Sequence, residues 1–207
     1  KNVLPLAAKP LIVWTIEAGL KSRCIDSVVI SSDDEEIHKI SIDAGAEIIQ
    51  RPQELATDKA SSFSAIEHVI NEINGHYDYT ALLQPTSPFR NNKHIDEAFD
   101  LLLAKDADAV ISVCETEYSP LWTNILPDDG RMDNFLRNEV INTRSQDLPV
   151  YYRLNGAIFI CKTTKLMDEK TFFIKDNIFA YKMTRKCSID IDDEFDWHCA
   201  ESLIPGK

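Results

Sequence analysis

Apolar and polar positions along this chain follow two different periods in turn, and that alternation predicts the architecture. Short runs with strand character fall at 27–31, 47–49, 79–83, 109–113, 156–161 and 178–183. Between them, apolar residues spaced by three and four predict helices over 10–21, 35–45, 62–74, 92–105, 165–169 and 193–203. Strands alternating with helices imply an α/β fold with a doubly wound, mostly parallel sheet covered on both faces. In such a sheet, ligands bind outside the carboxyl ends of the strands. From 115 to 150 the rhythm breaks into a polar stretch that scatters Tyr118, Leu121, Trp122, Ile125, Met132, Phe135 and Leu136. So long an irregular segment predicts a hairpin-like arm or a dimerisation or lid insert, at 115–150 within one domain spanning 1–207, and its apolar residues predict a homodimer.

Composition narrows the partners. The chain has 207 residues, 44% of them hydrophobic, which suffices for one globular core. A net charge of −12 argues against wrapping nucleic acid and against adhesion to an anionic membrane. It also means that an anionic ligand must be met by locally concentrated cations. Arg51, Arg90, Arg144 and Arg153 each stand beside turn-forming residues and are candidates for that work. Five cysteines, odd in number and without a CxxC pair, read as reduced thiols of a cytoplasmic protein. No apolar run is long enough to span a bilayer and no signal peptide is visible. Because the sequence opens on Lys1-Asn2-Val3, further residues are expected before it.

The densest chemistry lies near the end, at Ser188-Ile189-Asp190-Ile191-Asp192. On an extended strand the two carboxylates share one face, a hard-oxygen pair suited to Mg²⁺ completed by water and substrate phosphate. The same pattern also describes a polar edge strand whose aspartates face water. Leu82 to Arg90 places an amide, two hydroxyls and a guanidinium directly after a strand, stiffened by Pro85 and Pro88. An ordinary capped turn reads the same way. Arg51-Pro52 and the serines Ser61 and Ser62 offer a helix N-terminus for a phosphate or sugar, or simple capping. Arg144 to Pro149 and Tyr151 to Gly156 supply two guanidiniums for carboxylate or phosphate, or a surface hairpin of ion pairs.

Taken in order and register, KNxxPLxxKPLIxxTIEA, RPxELAxDxASS, LLQPTSPxR, RxQxLPxxYRxNGAIxI and SIDID resemble the acylneuraminate cytidylyltransferases, the CMP-sialic acid synthetases with their legionaminic and pseudaminic relatives. The resemblance covers essentially the whole chain and implies a Rossmann-like nucleotidyltransferase. Its reaction would join CTP to a nine-carbon α-keto acid sugar, giving a CMP-sugar and pyrophosphate with Mg²⁺. It implies Asp190 and Asp192 as catalytic metal ligands, and Asn2, Arg51, Ala60 and Ser62 as nucleotide contacts. Gln84, Arg144, Arg153 and Asn155 would surround the sugar, with Phe172 and Phe173 lining its pocket from a partner subunit. As bare sequence, that aromatic pair reads as core. The family's first strand and its basic phosphate loop end at the position of Lys1-Asn2, so both are expected upstream. Trp122 stands where sialic-acid-using bacterial members resemble Pro-Leu-Lys, which leaves legionaminic and other di-acylated sugars open.

Two other classes bear weighing. An Asp-x-Asp phosphatase would need a Ser or Thr and a Lys downstream, and only a short helix follows Asp192. A catalytically silent nucleotide-binding module would keep the fold without turnover.

Overall fold

The computed structural model describes residues 1–57 and 61–204. A short antiparallel hairpin, β1 (Pro5–Leu6) with β2 (Lys9–Pro10), leads into α1 (Leu11–Leu20). Then come β3 (Val29–Ser32), α2 (Glu35–Asp43), β4 (Glu47–Gln50), α3 (Ser62–Glu72), β5 (Tyr79–Leu82) and α4 (Asn92–Ala104). The chain continues through β6 (Ala109–Glu115), β7 (Tyr152–Lys162), α5 (Thr163–Glu169), β8 (Ile178–Met183) and α6 (Glu194–Leu203). Side-chain caps mark the starts of α2, α4 and α6. Asp34 accepts from the amides of Glu36 and Ile37, and capping boxes pair Asn91 with His94 and Asp193 with Asp196.

The α/β class expected from the pattern holds, with a mixed main sheet. Its strand order is β5-β7-β6-β8. β5, β6 and β8 run in one direction and β7 alone opposes them. The reason is connectivity: β6 reaches β7 through 116–151 without a crossover helix, and a chain that turns back beside its own strand must pair antiparallel. Among its described residues that same segment holds short 3₁₀ turns, at Pro120–Trp122, Asn138–Val140 and Ser145–Asp147.

Two apolar layers sandwich the sheet. Alternate residues Val110, Ile158 and Ile160 meet Ala18 of α1 and Ile95, Ala98 and Leu102 of α4. The intervening Ala109, Ile111, Phe159 and Cys161 meet Leu166 of α5 and, from α3, Phe63, Ile66 and Ile70. This period-two division is why these strands read as nearly continuous apolar runs. A third cluster ties Leu6, Leu11, Ile191 and Ala200 together, so the first and last segments of the chain share a core.

β3 and β4 form a separate parallel pair. Between β3 and β5 lies a cleft of about 790 Å³, lined by consecutive residues of both strands, including Val29 to Ser32 and Tyr79 to Gln84. Among the described residues each of these strands has a ladder partner on one side, β3 with β4 and β5 with β7.

Candidate active site

Three strand ends and one bulge build the site. Because β5, β6 and β8 point the same way, the residues following them gather at one rim of the sheet, together with the start of β7. There the β6–β7 ladder slips. From Ile111 to Val113 the step is two residues, while the facing step from Phe159 to Leu154 is five. The extra residues of β7 bulge out at Asn155 and Gly156, and a bulge re-aims what it carries. Gly156 sits at φ +70°, and a Cβ there would collide with Gln84 Oε1 and lie 3.4 Å from Asp190 Oδ2. The Gln84 loop, the Asn-Gly bulge and the Asp-Ile-Asp segment therefore meet at one point.

The Ser188–Asp192 segment is not a ladder strand, contrary to expectation. Its alternation survives without sheet pairing because other contacts pin it. Ile191 is fully buried, worth roughly 1.5–3 kcal/mol, and its amide donates to Thr86 O at 2.9 Å. Burying Ile191 leaves Asp190 and Asp192 turned away from that core. Asp190 Oδ1 is buried with no hydrogen-bond partner among the described residues. Asp192 is exposed, and Lys1 Nζ reaches it at 3.4 Å while donating to Ile191 O at 2.6 Å. On the far side, the amides of Asp192 and Asp193 donate to the Asp196 carboxylate of α6.

Arg90 holds this framework from beneath. It is 1% exposed, its Nε donates to Ala157 O at 3.3 Å, and its Nη2 donates to Thr15 Oγ1 at 2.7 Å and to Gln84 O at 3.3 Å. Among the described residues no carboxylate pairs with it, and Nη1 has no partner. Burial alone pushes its pKa down to about 10, so it stays charged at neutral pH. A net-acidic protein thus keeps an uncompensated cation under its site.

The residues singled out in the sequence separate by location. Asn2, Arg51 and Gln84 line the 790 Å³ cleft. Arg51 bridges back to β3, donating to Ser31 Oγ at 3.1 Å and Ser31 O at 2.6 Å. Ala60 and the side chain of Ser62 lie outside the described residues; Ser61 caps α3 by accepting from the Ser64 amide.

Asn155, expected beside the sugar, is buried, with both ends of its amide engaged. Oδ1 accepts from Ser112 Oγ at 2.6 Å and Nδ2 donates to Ser188 Oγ at 2.9 Å. Its role is to brace the bulge against the Ser188–Asp192 segment. Phe172 is a core residue 5.8 Å from the Phe159 ring, while Phe173 is 53% exposed. Arg144 pairs with Asp147 on its own turn at 2.8 Å. Arg153 is engaged by Glu117 through both Nε and Nη2, each at 3.1 Å. That hydrogen-bonded partner holds the guanidinium pKa up, with the Asp190 charge a lesser contributor. Sequence reasoning missed Lys1, Glu117 and Arg185, because their roles arise from pairings across more than thirty residues. Arg90 had a signal, a lone guanidinium closing a proline-stiffened loop, that did not reveal its burial.

Among the described residues no helix is long and apolar enough to cross a membrane. Comparison with known proteins agrees with the geometry. The family model described as cytidylyltransferase matches residues 1–195. An N-acylneuraminate cytidylyltransferase of Escherichia coli is 40% identical over 209 residues, covering 100% of this chain and 49% of that protein. A CMP-N,N'-diacetyllegionaminic acid synthase of Legionella pneumophila is 31% identical, covering 99% and 89%. The chain spans about half the length of the first of these. A CMP:2-keto-3-deoxy-manno-octonic acid synthetase solved with CTP shares the fold at a TM-score of 0.71 and 13% identity, over 98% of this chain and 90% of the other. With the family model matching residues 1–195, the chain belongs to the cytidylyltransferase family.

Proposed function

We propose that the protein transfers the cytidylyl group of CTP to a nonulosonic acid, a nine-carbon α-keto acid sugar of sialic type, releasing pyrophosphate. The observation that carries this reading is the seating of Asp190. A buried carboxylate oxygen without a donor is costly, and it is spared that cost when a cation or a substrate proton meets it. Asp190 and Asp192 present only oxygen, and among the described residues no third acidic, His or Cys side chain joins them in a cluster. That donor set fits Mg²⁺ completed by water and phosphate oxygens. Bound there, the ion would supply charge neutralisation to the reacting phosphates.

The chain's own residues do the rest by positioning. Arg51 and Asn2, which line the cleft, would hold the nucleotide, and Gln84, fixed through its carbonyl by Arg90 and Thr15, would orient the sugar. Arg153 is suited to the sugar's carboxylate, for which a guanidinium is the natural planar partner. The anomeric hydroxyl then attacks the α-phosphorus in line, and an aspartate oxygen of the pair accepts its proton. Pyrophosphate release by the intact protein, with CTP and GTP each set against N-acetylneuraminic, legionaminic and pseudaminic acids, tests the reading. CTP binding without turnover of any of them would replace it with a silent nucleotide-binding module.

One observation favours a second sugar. Trp122 lines a separate 330 Å³ hollow with Glu115, Glu117, Tyr118 and Tyr151, and one of the relatives covered over most of its length is a CMP-N,N'-diacetyllegionaminic acid synthase. A di-acylated acid turned over faster than N-acetylneuraminic acid would select it.

Homodimerisation is proposed through 115–150, where Ile125 is 90% exposed and Tyr118, Met132 and Ile141 are also exposed. A monomeric mass by light scattering would count against it. Five free cysteines, two of them fully buried, support a reducing, cytoplasmic setting.

A further inference from the structure

Two guanidiniums converge on one carboxylate at the rim of the site. Arg153 holds Glu117 side-on through two hydrogen bonds, and Arg185 Nε lies 3.4 Å from Glu117 Oε1. The three groups come from three elements. Glu117 follows β6, Arg153 faces Cys114 across the β6–β7 ladder, and Arg185 opens the 3₁₀ turn Arg185–Cys187 that leads into Ser188 and Asp190. Arg153 also lies within electrostatic reach of Asp190. Nothing buries the trio. The Glu117 and Arg153 side chains are 38% and 36% exposed and Arg185 is 57% exposed, so water can take the place of any of them without a cavity being opened.

We propose that Glu117 is an internal carboxylate occupying the position a ligand's carboxylate takes on Arg153 and Arg185, and that it swings out to water when that ligand binds. The proposal rests on the reading of the substrate as an α-keto acid sugar, and it adds Arg185 as the second arm of the carboxylate clamp. A carboxylate is the one side chain that meets a bidentate guanidinium as a sugar acid does, two oxygens in one plane. Exchange of one carboxylate for another leaves the guanidinium count and charge of the clamp unchanged, so the swap is close to balanced. Holding Arg153 in one rotamer before binding keeps it aimed, while competition lowers the apparent affinity by the fraction of clamps left open. Hydrogen bonding to Arg153 keeps the Glu117 carboxyl below its ordinary range, so the competitor remains charged at neutral pH.

The test is calorimetric titration of the intact protein with N-acetylneuraminic acid and with its methyl ester, which lacks the charged carboxylate. Glu117→Gln should bind the acid about two- to fivefold more tightly, the span expected for an exposed ion pair, with ester affinity unchanged. Arg185→Gln should bind the acid more weakly by a similar factor and leave the ester alone. An acid affinity that falls or stays level in Glu117→Gln would mean that Glu117 only positions Arg153, and would overturn the proposal. Equal binding of acid and ester by the unmodified protein, or no binding of the acid, would overturn it as well. Turnover with CTP, measured separately, reads the proposed reaction: its absence alongside the predicted affinities would sink that reaction and leave the clamp standing.

Discussion

The inner and outer halves of the site are built by opposite means. Gln84, Gly156 and Asp190 meet at one point, and Arg90 lies buried beneath them, donating to the backbone carbonyls of Ala157 and Gln84. Arg144, Arg153 and Arg185 hold exposed carboxylates through side chains alone. The first arrangement specifies one geometry, because a packed interior tolerates no half-shifted state. The second is exchangeable, because exposed ion pairs contribute only about 0–1 kcal/mol and reform around a new partner. Chemistry that needs a fixed reacting centre and a replaceable anion has reason to use both.

The contrast can be broken at four positions, in falling order of expected effect. Asp190→Asn removes the buried charge while keeping the shape, and it should cut Mg²⁺-dependent synthesis at least about a hundredfold, the loss of several kcal/mol of charge stabilisation. Initial rates in the intact protein measure it, and near-normal turnover would remove Asp190 from the inner centre. Arg90→Met takes the guanidinium donor from the carbonyls of Ala157 and Gln84, the latter keeping Thr15 Oγ1, and should lower stability by about 1–3 kcal/mol in urea unfolding. An unchanged midpoint would show that this buried cation is not part of the frame.

Next, Gly156→Ala forces a side chain into the left-handed region and displaces Gln84. The strain is about 1–2 kcal/mol, and the displaced amide should raise KM for the sugar acid. A rise in KM for CTP alone would place Gln84 on the nucleotide side. Arg144→Ala, which breaks only the pair with Asp147, should change stability by less than about 1 kcal/mol. A larger loss on thermal melting would make the outer half as structural as the inner one.

Most of the layered core was legible because the sheet sorts its residues by parity. Val110 and Ile160 face one helical layer and Ala109 and Cys161 the other, so apolar runs bounded by turns sufficed to place β5, β6 and β8. The hairpin Pro5–Leu6 with Lys9–Pro10 escaped notice because two-residue strands have no period to detect. Position along the chain could not show that Asn155 faces inward. Its neighbours Ser112 and Ser188 lie 43 and 33 residues away, and only the register slip of β7 brings them together. The aspartate pair was legible as a pair, yet the force that orients it was not. Burial of Ile191 does the orienting, and no ladder is involved.

The Asp196 carboxylate has a kinetic consequence for the outer aspartate. It accepts from the amides of Asp192 and Asp193 at 3.0 and 3.2 Å while it stands in the first turn of α6. Each time that turn frays, both bonds open and the backbone that aims Asp192 is released. Helix ends open at low free energy, so the dwell time of Asp192 in its aimed orientation is set by the fraying clock of the last helix. Solvent exchange of those two amides would keep the same time.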